Sequence, residues 1–205
     1  MLETAFIIEM TTYLITGAIV GVAAGLLGIG GGLLIVPVLS TAFIHYLDTP
    51  EVVHLAIGTS LATIVITSFS SARAHHKHGA VRWDAFKLLT IGVLIGAFIG
   101  AWSSQFVASD LLGKIFGVLE LLIAINMLIS FKPSPHRELP GLIGNTAAGS
   151  VIGGLSSLVG IGGGTLTTPY LVWNNISMHQ AIATSTAVSL PVAIAGSIGY
   201  FMAGL

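Results

Sequence analysis

The strongest constraint on the fold is a glycine-rich run that occurs twice. LLGIGGGLLIVPVL spans residues 26–39 and LVGIGGGTLTTPYL spans residues 158–171, with nine of the fourteen positions identical. Each copy lies in an apolar stretch that is almost free of charge. Each glycine inside a helix costs about 1 kcal/mol, and in a bilayer the backbone groups freed by a broken helix need partners from protein, water or a ligand. The sequence therefore predicts a duplicated membrane protein in which the two runs mark a site.

The composition supports a polytopic, all-α membrane protein. Hydrophobic residues make up 54% of the 205 positions and charged residues 7%, with a mean hydropathy of +0.97, against about 25% charged residues in soluble domains. The chain has no cysteine, which excludes disulfides and thiolate chemistry. Its seven lysines and arginines form no patch suited to nucleic acid. No catalytic triad, phosphate-binding or paired-carboxylate motif occurs, so we expect neither an enzyme nor a cofactor.

The first apolar block, residues 11–46, is too long for one straight crossing. As a single helix it would measure about 54 Å, whereas the hydrocarbon core is about 30 Å thick. We expect a break at Gly28 to Gly32 and a restarted helix that accommodates Pro37 in its first turns. Further helices are predicted over residues 50–74, 83–106 and 111–131.

The duplication extends beyond the glycines. The segment from His54 to Ala62 matches the segment from His179 to Ala187 at six of nine positions. We therefore predict a first transmembrane repeat at residues 1–130, a proline-rich linker at 131–140 and a second, partial repeat at 141–205. In this register Gly79 corresponds to Gly204, so the second copy has no counterpart of the helices predicted after residue 83.

The orientation of the two repeats depends on the glycine segments. If each segment folds back as a re-entrant hairpin, three further spans make the repeats inverted, and if each crosses once, they are parallel. The length argument favours inversion. The basic loops at 73–87 and 131–140 lie two crossings apart and so share one side, which the excess of positive charge predicts to be the cytoplasm.

The paired motifs resemble the TauE/SafE family of membrane transporters, also called the sulfite exporter or toluene sulfonate uptake permease family. The resemblance is carried by GIGGG-x-x-x-x-Pro at 28–37 and 160–169, and by Ala-x-x-Thr-Ser at 56–60 and 181–185. It implies transport of small anions, often sulfur oxyanions or organosulfonates, across a prokaryotic plasma membrane. The family's usual length and its seven or eight spans exceed this sequence. A truncated product, a fragment and a protein completed by self-association all stay open.

Half-helices that begin just after the glycine runs would point free N–H groups and the positive end of the helix dipole at each break. Such ends bind anions, and hydroxyls on the following helix can donate to the same ligand. Thr165, Thr167 and Thr168 have apolar counterparts in the first copy, so we expect an asymmetric site. The predicted substrate-binding residues are the run glycines and nearby hydroxyls: Gly30, Gly31, Gly32, Gly162, Gly163, Gly164, Thr59, Ser60, Thr165, Thr184 and Ser185.

Each of these assignments has a structural alternative. The glycines could serve only close helix packing, and the hydroxyls could bond to carbonyls one turn earlier. Glu120, in the middle of a predicted helix, and the paired residues His54 and His179 are candidates for proton coupling, although a neutral carboxyl and helix-end histidines are the alternatives.

A short loop carries three further histidines, His75, His76 and His78, but it offers no defined fourth ligand for zinc. We therefore predict no metal site. Two other functions are retained as alternatives to an anion transporter, namely a non-transporting membrane scaffold and a cation or metal transporter that uses Glu120 and the histidines. The partners predicted for the anion transporter are a small anion and the lipid bilayer, and a homo-oligomer is left open.

Overall fold

The computed structural model describes residues 31–46, 49–129 and 139–204, together with scattered helical positions between 11 and 22. Within this part of the chain the structure is all-helical, as predicted. A short 3-10 segment, Ser104–Phe106, continues the third helix. From residue 31 onward, the described residues form seven α-helices: α1 (Gly32–Tyr46), α2 (Val52–Lys77), α3 (Trp83–Ser103), α4 (Ser109–Ile129), α5 (Leu142–Val159), α6 (Gly164–Trp173) and α7 (Met178–Met202).

Four helices are long and apolar enough to cross a membrane: α2, α3 with its 3-10 extension, α5 and α7. Large apolar side chains point outward from the bundle, among them Ile66, Ile99, Val151 and Phe201. In water such a surface would drive aggregation, whereas lipid chains solvate it. The predicted helices at 50–74, 83–106 and 111–131 correspond to α2, α3 and α4, and α2 continues three residues further than predicted, to Lys77.

α5 and α6 form a re-entrant hairpin. The Tyr170 hydroxyl, near the end of α6, donates to Asn145 Oδ1, near the start of α5, at 2.9 Å. The end of α6 therefore lies beside the start of α5, on the side where the hairpin began. The ten residues of α6 span about 15 Å, which is too short to cross a bilayer.

α2 and α7, the helices that carry the paired His-x-Ala-Ile-x-Thr-Ser segments, pack antiparallel. Gly58 and Leu61 of α2 lie beside Tyr200 and Gly196 of α7, respectively. At the other end, the Arg82 N–H donates to Thr184 Oγ1 at 2.9 Å. Residue numbers thus rise along α2 as they fall along α7, which is the relation that inverted repeats require. Inversion of the complete halves stays a prediction, because residues 23–30 of the first copy lie outside the described residues.

α3 packs against α5 with backbone nearly touching backbone. Their residue numbers rise together along the contact: Gly92, Gly96 and Gly100 of α3 face the backbone of Thr146, Ser150 and Gly154 in turn. The glycines of α5 contact α3 in the same way, since a Cβ at Gly149 would lie 2.7 Å from the Leu89 carbonyl oxygen and one at Gly153 2.9 Å from the Ala97 nitrogen. Close helix packing through glycine therefore occurs at these positions, which lie outside the two runs.

Candidate functional site

The second glycine run breaks the helix over four residues. α5 ends at Val159, and Gly160 caps it in the left-handed conformation with φ 71°. The Ile161 N–H donates back to the Ser156 carbonyl at 2.9 Å. Gly163 is also left-handed, with φ 59°, and α6 begins at the next residue. Because residues with a Cβ rarely adopt this conformation, glycine is needed at both positions for the chain to turn into α6.

The run lies deep in the bundle, near the midpoints of two long helices. A Cβ at Gly162 would contact Ile64 Cγ2 at 2.8 Å on one side and Ser189 Cβ at 3.5 Å on the other. Ile64 and Ser189 lie near the middle of α2 and α7, respectively. The first turn of α6, with the positive end of its dipole, therefore begins near mid-membrane depth.

The two glycine runs meet. α1 begins at Gly32, the position equivalent to Gly164, so a helix begins at matching places in both copies. A Cβ at Gly32 would lie 2.9 Å from Ile161 Cα, and it would overlap the Gly160 carbonyl oxygen. The Ser60 hydroxyl, fully buried, donates to the same Gly160 carbonyl at 3.1 Å. The start of one half-helix thus abuts the loop that leads into the other.

Hydroxyls of α7 line the other side of the second run. Ser189 Oγ donates to the Gly162 carbonyl and lies 3.0 Å from the Ser185 carbonyl. Ser185 Oγ is 2.8 Å from Thr168 Oγ1 and 2.9 Å from the Ile182 carbonyl oxygen. Ser185 and Ser60 therefore both lie at residues 160–164, the glycine segment, and in this conformation their hydroxyls bond to protein atoms.

The remaining predicted site residues are placed differently. Thr184 Oγ1 accepts from Arg82 in the loop before α3, and Thr59 lies on the exposed face of α2. Gly31 immediately precedes α1 and its carbonyl accepts from the Ile35 N–H at 2.9 Å. Thr165 is half-buried in the first turn of α6, whereas Gly30 lies outside the described residues.

The three candidates for proton coupling do not come together. His54 is buried, with Nε2 3.0 Å from the Ser104 carbonyl oxygen, at the end of the bundle where α2 begins. His179 is exposed at the opposite end, where α7 begins, and Glu120 is half-buried in the middle of α4. Among the described residues, no three His, Asp or Glu side chains are grouped to hold a metal ion.

Comparison with known sequences identifies the family. A sequence model described as "Sulfite exporter TauE/SafE" matches residues 13–205. The chain belongs to this family. A "Probable membrane transporter protein" of Haemophilus influenzae is 36% identical over 195 residues, covering 93% of this chain and 73% of that protein.

Two further relatives of this TauE/SafE protein carry the same description. The protein of Methanocaldococcus jannaschii is 35% identical over 210 residues, covering 98% of this chain and 76% of its own. The protein of Bacillus subtilis is 31% identical over 214 residues, covering 93% and 77%. No solved structure gives a significant match. Family, relatives and apolar helices together make the chain a multi-pass membrane transporter.

Sequence reasoning missed two polar groups at the TauE/SafE glycine segment, Ser189 and Ser156, and predicted a third, Thr167. Ser189 was missed although its spacing of four residues from Ser185 places both on one face of α7. Ser156 Oγ, in the last turn of α5, and Thr167 Oγ1, in the first turn of α6, are fully buried and have no hydrogen-bond partner among the described residues. Thr167 was expected to contribute a hydroxyl, whereas Ser156 lies in a small-residue helix with no sequence signal that separates it from Ser157.

Proposed function

We propose that the chain is a secondary transporter that moves small anions, of the sulfur oxyanion or organosulfonate type, across the plasma membrane by alternating access. The observation that carries the proposal is the meeting of the two glycine runs, Gly32 against Gly160, beside a half-helix that starts near mid-depth. Discontinuous helices at this depth hold substrates in many secondary transporters. The description of the family as a sulfite exporter supports the substrate type.

The chemistry of the segment suits an oxyanion. The N-terminal turn of α6 offers backbone N–H groups and the positive end of a dipole. Ser60, Ser185 and Ser189 supply hydroxyls within the same segment. These hydroxyls bond to backbone carbonyls, and that of Ser185 also contacts the Thr168 hydroxyl. Substrate entry therefore requires that the two runs separate and that some of these bonds be exchanged for bonds to the anion.

The orientation proposed for the transporter places the basic loop after α2 and the segment before α5 in the cytoplasm. Arg82, just before α3, contacts Thr184 near the start of α7, and Gly92 in the first half of α3 faces the backbone of Thr146 near the start of α5. The starts of α3, α5 and α7 therefore share one end of the bundle. That end carries Arg73, Lys77, Arg82 and Lys87, the excess of positive charge expected on the cytoplasmic side.

Transport by the purified protein in proteoliposomes tests the proposal. The panel consists of sulfite, methanesulfonate, sulfate and acetate, each measured for flux and for competition, with empty liposomes as the control. We expect protein-dependent flux of at least one sulfur anion and inhibition of that flux by its chemical relatives. The proposal fails if monodisperse, folded protein moves none of the panel and none competes.

A further inference from the structure

The positive side chains of the described residues lie far from the glycine segment. Each described lysine and arginine falls within two turns of a helix end or in a loop, and Lys132 and Arg137 belong to the linker. Lys114 pairs with Asp110 and Arg82 with Asp84, each at 2.6 Å. Glu120 is the one charged residue more than two turns from an end of a described helix, and it is acidic. The described residues at the depth of Gly162 therefore include no side-chain cation.

Neutral donors take the place of a cation. Ser156 Oγ and Thr167 Oγ1 flank the glycine segment in the chain, fully buried and without a partner among the described residues. The Ser156 carbonyl accepts a hydrogen bond from the Ile161 N–H, so Ser156 lies next to the second glycine run. Side chains in a helix are tilted toward its N-terminus, so the Thr167 side chain is tilted toward the start of α6. A buried hydroxyl without a partner is unfavourable, and a ligand oxygen would satisfy it. These two hydroxyls are a second indication of a ligand, independent of the helix terminus.

The positive potential that the two helix N-termini supply at the glycine segment limits the negative charge that a ligand there can carry. A helix N-terminus is equivalent to about half an elementary charge, so the starts of α1 and α6 together offer about one. The cost of removing an ion from water rises with the square of its charge, so a dianion costs about four times as much as a monoanion of the same size. One negative charge is therefore balanced at this site, whereas a second would be left uncompensated in a region of low dielectric constant.

We propose that the site selects singly charged anions, which include hydrogensulfite and alkanesulfonates, and rejects dianions, which include sulfate and fully ionised sulfite. This inference rests on the proposed function and narrows its substrate class. Selection follows from two features: the starts of two half-helices lie beside uncharged hydroxyls, and the described lysines and arginines lie at the ends of the bundle.

The proteoliposome experiment tests anion transport and the selection of monoanions separately when the pH is varied on either side of neutrality. Sulfite changes from mainly hydrogensulfite to mainly the dianion over this range, whereas methanesulfonate stays singly charged and sulfate doubly charged. We expect sulfite flux to fall with rising pH in proportion to hydrogensulfite, any methanesulfonate flux to stay constant, and sulfate neither to move nor to compete. Transport of sulfate, or sulfite flux that rises with pH, would overturn the selection of monoanions while leaving the anion transporter intact. Absence of all flux and competition would instead contradict the proposed function.

A pair of threonine variants tests the role of the buried hydroxyls. Thr167→Val removes one of them at nearly constant volume, and Thr63→Val removes a hydroxyl on the exposed face of α2 that bonds to the Thr59 carbonyl. We expect Thr167→Val to raise KM for hydrogensulfite about tenfold and Thr63→Val to leave it unchanged. Equal KM values in the two variants would contradict a ligand at Thr167. If Thr167→Val does not fold, Ser156→Ala provides the same comparison.

Discussion

At the scale of single residues, the hydroxyl of Ser60 is the one polar side-chain link from α2 to the second glycine run among the described contacts. Its hydrogen bond joins positions one hundred residues apart, and both partners are fully buried or nearly so. Ser60→Ala would leave the Gly160 carbonyl without this donor, at a cost of about 1–3 kcal/mol. We therefore expect a lower melting temperature for the detergent-solubilised variant, measured by tryptophan fluorescence or static light scattering.

Ser70→Ala is the matched control, because Ser70 lies on the same helix but on its exposed face. Its melting temperature should stay within error of the unmodified protein. An equal decrease in both variants would mean that the Ser60 contact contributes nothing specific to the stability of the bundle.

The paired histidines show what a residue pattern does and does not predict. His54 and His179 occupy matching positions in nearly identical segments, yet one is buried and the other exposed. The difference arises from Ser104, which follows α3 and covers His54 through its carbonyl. No described residue covers His179 in the same way. Burial here depends on a neighbour from elsewhere in the chain, which a local motif does not reveal.

At the scale of helices, the break at the second glycine run and the helix starts after both runs were predictable, because the penalty for adjacent glycines is local. α1 and α6 begin at the expected positions, Gly32 and Gly164, and each contains a proline as its sixth residue. The α3–α5 contact was not predictable, because glycines at intervals of four residues can face lipid, a ligand or another helix. The tertiary arrangement alone decides among these.

That contact leads to a prediction with a glycine control. Gly96→Ala on α3 would place a methyl group 2.6 Å from the Ser150 Cα, so the two helix backbones must separate, at a cost of about 1–3 kcal/mol. Gly117→Ala on α4 meets no atom within 4 Å and should be neutral or stabilising by up to about 1 kcal/mol. Thermal unfolding in detergent measures both variants. A Gly96→Ala protein as stable as Gly117→Ala would show that α3 and α5 do not approach this closely.

At the scale of the whole molecule, the orientation of the repeats can be tested with one pair of residues at equivalent positions of the two copies. Lys77 and Met202 occupy matching positions, since each lies twenty-three residues after its paired histidine, and both are exposed. The chain has no cysteine, so Lys77→Cys and Met202→Cys each introduce a single thiol. In oriented membranes, we expect a membrane-impermeant maleimide to label Lys77→Cys from the cytoplasmic side and Met202→Cys from the opposite side.

Labelling of both thiols from the same side would indicate parallel repeats and contradict the antiparallel packing of α2 and α7. As a control, the same variants are labelled after the membrane is permeabilised, which establishes that each thiol can react. The labelling pattern does not depend on transport activity, so the experiment also reports the orientation of a protein that moves no substrate.

The position of α3 has a consequence for how the two copies can change over time. α3 belongs to the first repeat in sequence, yet its buried residues Ala85, Leu89, Val93 and Ala97 pack with Leu171, Val188 and Val192 of the second. The two copies therefore share this hydrophobic core. Whether a substitution in the core of one copy is tolerated therefore depends on how it packs against residues of the other copy. We expect the two copies to accumulate compensating substitutions in evolution, although a proline-rich linker separates them in the sequence.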